Sequence, residues 1–161
     1  MTVSVRPAVA ADADLIVQLV GDLAEYEKLS HEMSATAADI AAALFSDAPR
    51  VFCEIADLDG EPVGLALWFY SYSTFRGRFG LYLEDLYVRP PARGRGRGVG
   101  KALLGSLARR CVEENLGRMY WSVLQWNTAS IGFYESLGAR LIDEWIGCRL
   151  EGEPLAALAG S

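Results

Sequence analysis

The spacing of apolar side chains changes period several times along the chain, and each change marks a predicted element. Residues 2–8 alternate and are rich in β-branched side chains, which predicts a first strand. Residues 10–29 repeat apolar positions at helical spacing, which predicts an amphipathic helix, and residues 35–46 predict a second helix. The apolar positions of the first helix are Leu15, Ile16, Leu19, Val20, Leu23 and Tyr26.

The middle of the chain predicts a run of strands. Residues 50–73 hold two apolar stretches around Asp59 and Gly60, and an Asp-Gly pair in that position is a strong hairpin signal. A further strand over residues 77–90 is expected to end at its prolines, because proline cannot donate to a ladder. The remaining predicted elements are a helix over 98–112, a buried strand over 118–126, a helix over 127–139 and a last strand over 140–150.

These elements predict one α/β domain that spans residues 1–161. Their order is β-α-α-β-β-β-α-β-α-β, which predicts a mixed central sheet with helices on both faces. A length of 161 residues suits a single domain, and no linker, repeat or low-complexity segment divides the chain.

Composition places the chain among globular proteins. Hydrophobic residues make up 52% and charged residues 22%, which is ordinary for a folded domain. No apolar run approaches the roughly 18 residues of a membrane span. The first residues lack the layout of a signal peptide. We therefore predict a cytoplasmic protein without a membrane partner.

The cysteines and the single histidine argue against several kinds of site. Cys53, Cys111 and Cys148 lie far apart and show no C-x-x-C spacing, which disfavours a disulfide framework or a zinc site. His31 alone cannot build a metal cluster or a Ser-His-Asp triad. We therefore predict no metal and no covalent enzyme intermediate.

Positive charge is concentrated in one stretch of an otherwise acidic chain. The net charge is −6, yet seven of the fifteen Lys and Arg residues fall between Arg76 and Lys101. A basic segment in an acidic body indicates an anionic ligand bound locally and a cationic ligand elsewhere. An ordinary solvated surface is the alternative interpretation.

The stretch "PPARGRGRGVGKALL", residues 90–104, first has to be tested against known glycine-rich motifs. A P-loop would need a glycine at position 95 and a Ser or Thr at position 102, where Arg95 and Ala102 stand. A dinucleotide-binding G-x-G-x-x-G fails because Val99 or Lys101 occupies its last position. An Arg-Gly tract for nucleic acid would be longer and would belong to a basic chain, so we predict no nucleic-acid partner.

A strand, a glycine-rich loop and a helix remain, and together they favour a phosphate site. Glycines allow backbone N–H groups to approach an anion, and the helix N-terminus adds its partial positive charge. Arginine side chains supply bidentate contacts to phosphate. The alternative is a solvent-exposed turn, but that does not explain why so many donors meet at one helix start. We therefore predict a pyrophosphate site.

Two motifs resemble those of the GNAT N-acetyltransferase superfamily. The segment "RGRGVG", residues 95–100, is similar to the acetyl-CoA motif R/Q-x-x-G-x-G/A, and "RGRGRG", residues 93–98, matches it as well. We prefer the later register because Val99, Leu103 and Leu104 must face the core. Residues 127–138 resemble the family's N-x-x-[SA]-x-x-F-Y-x-x-x-G segment. The resemblance covers nearly the whole chain and implies a GNAT-like fold.

Within that superfamily the chain most resembles diamine (spermidine/spermine) and thialysine N-acetyltransferases. The segments that carry this are "LAEYEKL", "YLEDLYV", "WN" together with "FY", and "DEW". The resemblance implies acetyl-CoA as the cofactor, a primary amine of a small cationic substrate as the acceptor, and a homodimer. Alternatives are the same chemistry on a lysine-like amino acid, an aminoglycoside or a protein amine, and a non-catalytic acyl-CoA-binding regulatory module.

Two residues are predicted to carry the chemistry. A primary amine is protonated at neutral pH, so transfer needs a carboxylate that accepts its proton directly or through water. Glu84 is the first candidate, and strand alternation turns Asp85 to the opposite face. Tyr134 is the candidate general acid for the departing thiolate, because a phenol and a thiol have similar pKa values. A core aromatic role is the alternative for Tyr134.

The other site residues follow from the resemblance. Backbone N–H groups at Leu86 and Val88 are expected to hold the pantetheine arm and to polarise the thioester carbonyl. The predicted cofactor-binding residues are Leu86, Tyr87, Val88, Arg93, Arg95, Gly96, Arg97, Gly98, Val99, Gly100, Lys101, Asn127, Ser130 and Tyr134. The predicted acceptor-binding residues are Tyr26, Glu27, Glu84, Tyr120, Trp121, Ser122, Asp143 and Glu144, with a solvated surface as the alternative for the carboxylates.

Overall fold

The computed structural model describes residues 1–94 and 97–160. The chain forms two compact units, Met1–Ser122 and Val123–Ser161. No helix in the described ranges has both the length and the apolar character that crossing a bilayer requires.

The first unit contains a sheet and three α-helices in its described part. The strands are β1 (Val3–Pro7), β2 (Phe52–Leu58), β3 (Glu61–Ser73), β4 (Arg78–Val88) and β5 (Met119–Tyr120). The helices are α1 (Ala13–Tyr26), α2 (Ala37–Leu44) and α3 (Val99–Glu113). The sheet order is β1-β2-β3-β4-β5, and only the β4–β5 pair is parallel.

The turn between β2 and β3 follows directly from two residues. Asp59 and Gly60 both have positive φ, at 53° and 88°. Positive φ at both central residues matches the right-handed twist of the flanking strands, which is why Asp-Gly is favoured there. The predicted hairpin is confirmed.

Helices cover both faces of the sheet, as predicted. On one face, Ile16 of α1 packs with Ile55 of β2 in a buried cluster. On the other face, Leu107 of α3 is fully buried, and the Arg110 guanidinium lies 4.9 Å from the Trp68 ring centroid. The sheet therefore separates two cores, one under α1 and α2 and one under α3.

A polar network fastens the C-terminal end of α3 to the sheet. Arg110 Nη2 lies 3.7 Å from Oε1 of the buried Glu54, and Arg110 Nη1 donates to Glu114 Oε1 at 2.9 Å. Tyr70 donates its hydroxyl hydrogen to Glu114 Oε2 at 2.6 Å. A cavity of about 150 Å³ lies beside this network. The network therefore holds the C-terminal end of α3 against the sheet.

The strand predicted over 118–126 is much shorter than expected. Only Met119 and Tyr120 pair with β4, opposite Leu81 and Tyr82, and Tyr120 is 37% exposed. The prediction of a buried strand of nine residues is therefore wrong. The apolar side chains in this segment favour a strand locally, but a strand persists only where a neighbour accepts its backbone hydrogen bonds.

The second unit contains α4 (Thr128–Ser136) and α5 (Gly152–Leu158) in its described part. The helix predicted over 127–139 is confirmed as α4. The last strand predicted over 140–150 is wrong, because these residues form no ladder, and Trp145 and Ile146 are 74% and 88% exposed. The seven residues of α5 are too few for a periodic signal, so the apolar pattern does not predict this helix.

Candidate active site

Strand β4 is distorted at its acidic pair. Leu67 of β3 pairs with Asp85 and the next residue, Trp68, pairs with Leu83, so Glu84 is an extra residue in the ladder. Such a bulge bends the strand and redirects side chains, and bulges are common beside active sites. Glu84 is exposed and Asp85 is partly buried.

The carboxyl of Asp85 titrates far from its usual range. Burial is the largest cause, and the negative charges of Glu84 and Glu27 add to it, raising the pKa of Asp85 to about 6. A carboxylic acid with a pKa near 6 exchanges protons readily close to neutral pH. Strand alternation turns Asp85 away from the face of Glu84 and so predicts no role for it. Its position next to Glu84 is the one sequence feature that points to a role.

Glu27 completes an acidic group on the same unit. It caps the C-terminus of α1, and burial raises the pKa of its carboxyl. Its charge acts on Asp85, so the end of α1 and the bulge of β4 share one electrostatic environment. Three carboxyls in one region attract a cation, and an ammonium group would relieve their mutual repulsion.

Beyond the bulge, β4 loses one of its neighbours. β3 continues to pair with Leu86, Tyr87 and Val88, whereas β5 pairs only with Leu81 and Tyr82 in the described sheet. No strand of that sheet pairs with the later part of β4 on the β5 side. The edge predicted to hold the pantetheine arm therefore lies where strand pairing has ended.

The glycine-rich loop leads into α3 as the pattern predicted. Gly98 is the N-cap of α3 and has a left-handed backbone, with φ of 67°. A Cβ built on Gly98 would meet nothing within 4 Å, so backbone conformation alone demands glycine there. Val99, Leu103 and Leu104 are buried, which confirms the predicted helix register.

Two basic residues lie at the start of α3 with exposed side chains. Arg97 and Lys101 are exposed beside the N-terminus of α3, where free N–H groups and the helix dipole favour an anion. Gly100 lies in the first turn of α3. Arg95 and Gly96, both predicted to bind the cofactor, lie outside the described residues.

Arg93 contacts protein groups. Its Nε donates to the Val88 carbonyl, and its guanidinium lies 4.6 Å from the Tyr26 ring centroid and 5.1 Å from that of Tyr87. Arg93, itself a predicted cofactor-site residue, therefore contacts both Tyr26, predicted for the acceptor site, and Tyr87, predicted for the cofactor site.

The residues around β5 form a small polar and aromatic group. Tyr82 and Tyr120 have ring centroids 5.7 Å apart, and the Tyr82 hydroxyl lies 3.4 Å from Ser122 Oγ. Trp121 lies between Tyr120 and Ser122 in the chain and is partly buried. Three predicted acceptor-site residues, Tyr120, Trp121 and Ser122, therefore follow one another at the β5 end of the sheet.

The second unit holds the other predicted site residues. Asn127 is buried, and its side-chain Oδ1 accepts from the Ser130 amide at 3.3 Å, which confirms the predicted helix cap. Tyr134 lies within α4 and is only 9% exposed. Asp143 and Glu144 are exposed, and Glu144 Oε1 accepts from Arg140 at 3.4 Å.

Comparison with known proteins gives one consistent family. The Acetyltransferase (GNAT) family model matches residues 16–139. Thialysine N-epsilon-acetyltransferase of Bos taurus is 36% identical over 98% of both chains. Spermidine/spermine N(1)-acetyltransferase-like protein 1 of Homo sapiens is 34% identical over 84% of this chain and 20% of its own. An integron cassette protein from the mobile metagenome of V. cholerae superposes with a TM-score of 0.80 at 28% identity, covering 100% of this chain and 99% of that one.

Proposed function

The chain belongs to the GNAT acetyltransferase family, and from that premise we propose that it moves an acetyl group from acetyl-CoA to a primary amine of a small cationic substrate. The observation that carries this proposal is the bulge of β4, which exposes Glu84 next to the partly buried Asp85, while the charge of Glu27 acts on Asp85 from the end of α1. Glu84 and Asp85 lie on the strand that leads into the glycine-rich loop, and Glu27 lies at the end of α1.

The residues around α3 suit the phosphates of coenzyme A. Gly98 opens α3 without a Cβ, and the free N–H groups of the first turn face an incoming anion. Arg97 and Lys101 are exposed and can add positive charge. The backbone of β4 at Leu86 and Val88 offers donors for the pantetheine arm. When bound, acetyl-CoA supplies the acetyl thioester.

Deprotonation of the amine is assigned to the acidic pair of β4. Glu84 is exposed at the bulge and suits the first contact with the ammonium group. Asp85 suits the proton transfer, because its pKa of about 6 leaves it ionised at neutral pH yet basic enough to accept a proton. We therefore infer that Asp85 shares the role that the sequence pattern assigned to Glu84.

The departing thiolate needs a proton, and Tyr134 is the group we propose for it. A phenol and a thiol have ordinary pKa values near 10 and 8.5, so transfer between them is close to balanced. Tyr134 is only 9% exposed in α4, so most of the residue is shielded from bulk water.

The acceptor is proposed to be polyamine- or diamine-like, with a lysine-like amino acid as the second candidate. Two ammonium groups suit a site that contains more than one carboxyl. The second candidate is supported by the thialysine acetyltransferases among the relatives. We also propose a homodimeric, cytoplasmic protein, which size-exclusion chromatography with light scattering and cell fractionation would test.

An acceptor panel tests the proposed function. Purified protein with acetyl-CoA would be given spermidine, thialysine, ornithine, an aminoglycoside and a lysine peptide, and thiol release would be followed. We expect the highest kcat/KM with spermidine or thialysine. If coenzyme A binds by calorimetry but no amine releases thiol, the protein is an acyl-CoA-binding module and the proposal is wrong.

A further inference from the structure

One stripe of α1 faces the segment that precedes the glycine-rich loop. Gln18, Asp22 and Tyr26 are spaced by four residues, so they lie along one side of the helix. Arg89 Nη2 donates to Gln18 Oε1 at 2.9 Å, and Arg89 Nε lies 3.7 Å from Asp22 Oδ2. The end of β4 is therefore tied to the middle of α1.

Arg93 continues this connection one turn further along α1. Its guanidinium lies over the rings of Tyr26 and Tyr87, and its Nε donates to the Val88 carbonyl. The two rings share one cation, and a planar guanidinium can stack on both while keeping its N–H donor in use. Arg93 thus joins the last residue of α1, the last residues of β4 and the start of the loop.

The turn between the two arginines is short and stiff. Pro90–Ala92 form one 3-10 turn, and the Ala92 amide donates to the Arg89 carbonyl at 2.9 Å. Proline restricts the backbone of such a turn, so a displacement of the loop passes to both arginines. A restricted segment therefore links the contacts that Arg89 and Arg93 make with α1.

The end of α1 is also where the acidic group begins. Glu27 follows Tyr26 directly, and its charge contributes to the raised pKa of Asp85. Lys28, the next residue, has a left-handed backbone with φ of 60°, which is unfavourable for a residue with a side chain. Backbone hydrogen bonds from Lys28 to Glu25 and from Leu29 to Ala24 close this helix end locally, and the Arg93–Tyr26 stack adds a contact from outside the helix.

We propose that Arg89 and Arg93 form a clamp through which coenzyme A binding at the loop orders the acceptor-binding segment at Glu27. The proposal rests on the proposed function, because it takes the loop as the cofactor site and Glu27 as part of the acceptor site. Both arginines are positioning residues. Arg93 carries the larger share, since the Arg89–Asp22 pair is partly exposed and exposed ion pairs contribute little.

Hydrogen exchange at the end of α1 tests the clamp. The amides of Glu27, Lys28 and Leu29 donate to carbonyls of the preceding turn, at 2.9, 3.0 and 2.7 Å, so their exchange reports fraying of this end. We expect saturating coenzyme A to slow their exchange in the unmodified protein by about fivefold or more, the lower end of typical coupling between sites.

Three variants separate the clamp from general damage. Arg93→Gln is expected to bind coenzyme A about threefold to tenfold more weakly, the scale of a lost cation–π stack, and at saturation to show no slowing at the end of α1. Tyr26→Phe keeps the ring and should retain the slowing, whereas Tyr26→Leu should lose it. Arg109→Gln, which removes an exposed arginine of α3, is the matched control.

Two results would overturn the clamp. One is coenzyme A binding to the unmodified protein with slowing confined to the loop and α3. The other is an Arg93→Gln variant that keeps the full slowing at saturation. Failure of the unmodified protein to bind coenzyme A at all is a different outcome, and it would contradict the proposed function together with the clamp.

Discussion

Asp85 owes its raised pKa to its surroundings. The same residue type on an exposed strand would be ionised well below pH 5. Here burial disfavours the charged form, and two neighbouring carboxylates disfavour it further. The chain tolerates this arrangement at its bulge, as proteins tend to keep unfavourable electrostatics where a ligand will relieve them.

Replacing Asp85 should separate activity from stability. Asp85→Asn is expected to lower kcat/KM by about 10²–10⁴-fold, the usual share of a general base. In the unmodified protein kcat/KM should fall as pH drops through about 6, because protonation removes the base. The variant should lack this limb of the pH profile, measured by thiol release between pH 5 and 8.

Asp85→Asn should lower kcat/KM but raise the free energy of unfolding at neutral pH. A raised carboxyl pKa means that the folded state binds the proton more tightly than the unfolded state does. The stabilisation that the protonated Asp85 carboxyl gives the folded state is present at low pH and is lost as pH rises from about 4 through about 6. At pH 7 Asp85→Asn should therefore raise the free energy of unfolding, by at most about 3 kcal/mol. Asp47→Asn, at an exposed position, is the control, and a destabilised Asp85→Asn at pH 7 would contradict this account.

Tyr134 allows a second test at the level of one atom. Tyr134→Phe removes only the hydroxyl, so kcat should fall by about 100-fold or more while the Kd of coenzyme A changes little. Steady-state kinetics and calorimetry measure the two quantities. Tyr72→Phe, at an exposed position of β3, is the control. Full activity of Tyr134→Phe across the pH range would rule out a general-acid role.

At the level of elements, α3 combines a strong local signal with a special first residue. Its apolar stripe at Val99, Leu103 and Leu104 is enough to predict its orientation, and all three are buried. Its start depends on Gly98, whose φ of 67° strains any residue with a Cβ. The pattern of the helix is thus robust, whereas its N-terminus depends on one glycine.

Two glycines of the same chain segment give a paired prediction. Gly98→Ala should lower the free energy of unfolding by about 1 kcal/mol and weaken coenzyme A binding, because the left-handed backbone is lost or strained. Gly105→Ala, inside α3 with only an arginine side-chain tip nearby at 3.8 Å, should raise it by about 0.5–1 kcal/mol. Urea unfolding and calorimetry measure both. Equal effects of the two substitutions would contradict the assignment.

The elements near the C-terminus show the limit of local patterns. The residues of 118–126 and 140–150 alternate or cluster as strands do, yet only Met119 and Tyr120 are in a ladder. Strand formation needs a partner at the right register, and that partner is remote in sequence. Helices such as α4 close their hydrogen bonds within the segment, so their local signals are more dependable.

On the scale of the whole molecule, the two compact units raise the question of independent folding. The second unit, Val123–Ser161, has 39 residues, and chains below about 40 residues seldom fold without metals, disulfides or partners. Asn127 and Tyr134 are its buried residues in the described part. The GNAT family match over 16–139 includes residues of both units. We therefore keep the hypothesis of a single domain.

Single-domain behaviour has a direct test. Hydrogen exchange of α3 and α4 peptides in increasing urea should give one free energy of opening, because both helices would open only in global unfolding. Mass spectrometry of protected peptides makes the measurement. Full exchange of α4 while α3 stays protected would show that the second unit opens independently.

The amino-acid sequence by itself determined the strand–loop–helix unit, the hairpin at Asp59 and Gly60, the register of α3 and the cap of α4. These features arise from contacts within one short segment: a helix period, a turn conformation, an N-cap. The two family motifs lie in such segments, which is why the family could be predicted without coordinates.

Only the tertiary structure decided the properties that depend on distant segments. The bulge at Glu84 arises from the pairing of β4 with β3, and the raised pKa of Asp85 arises from burial and from Glu27 on α1. The stack of Arg93 between Tyr26 and Tyr87 likewise joins three elements. Burial, charge proximity and strand pairing depend on residues that are distant in sequence and meet only in the folded chain. The periodicity of a short segment therefore does not predict them.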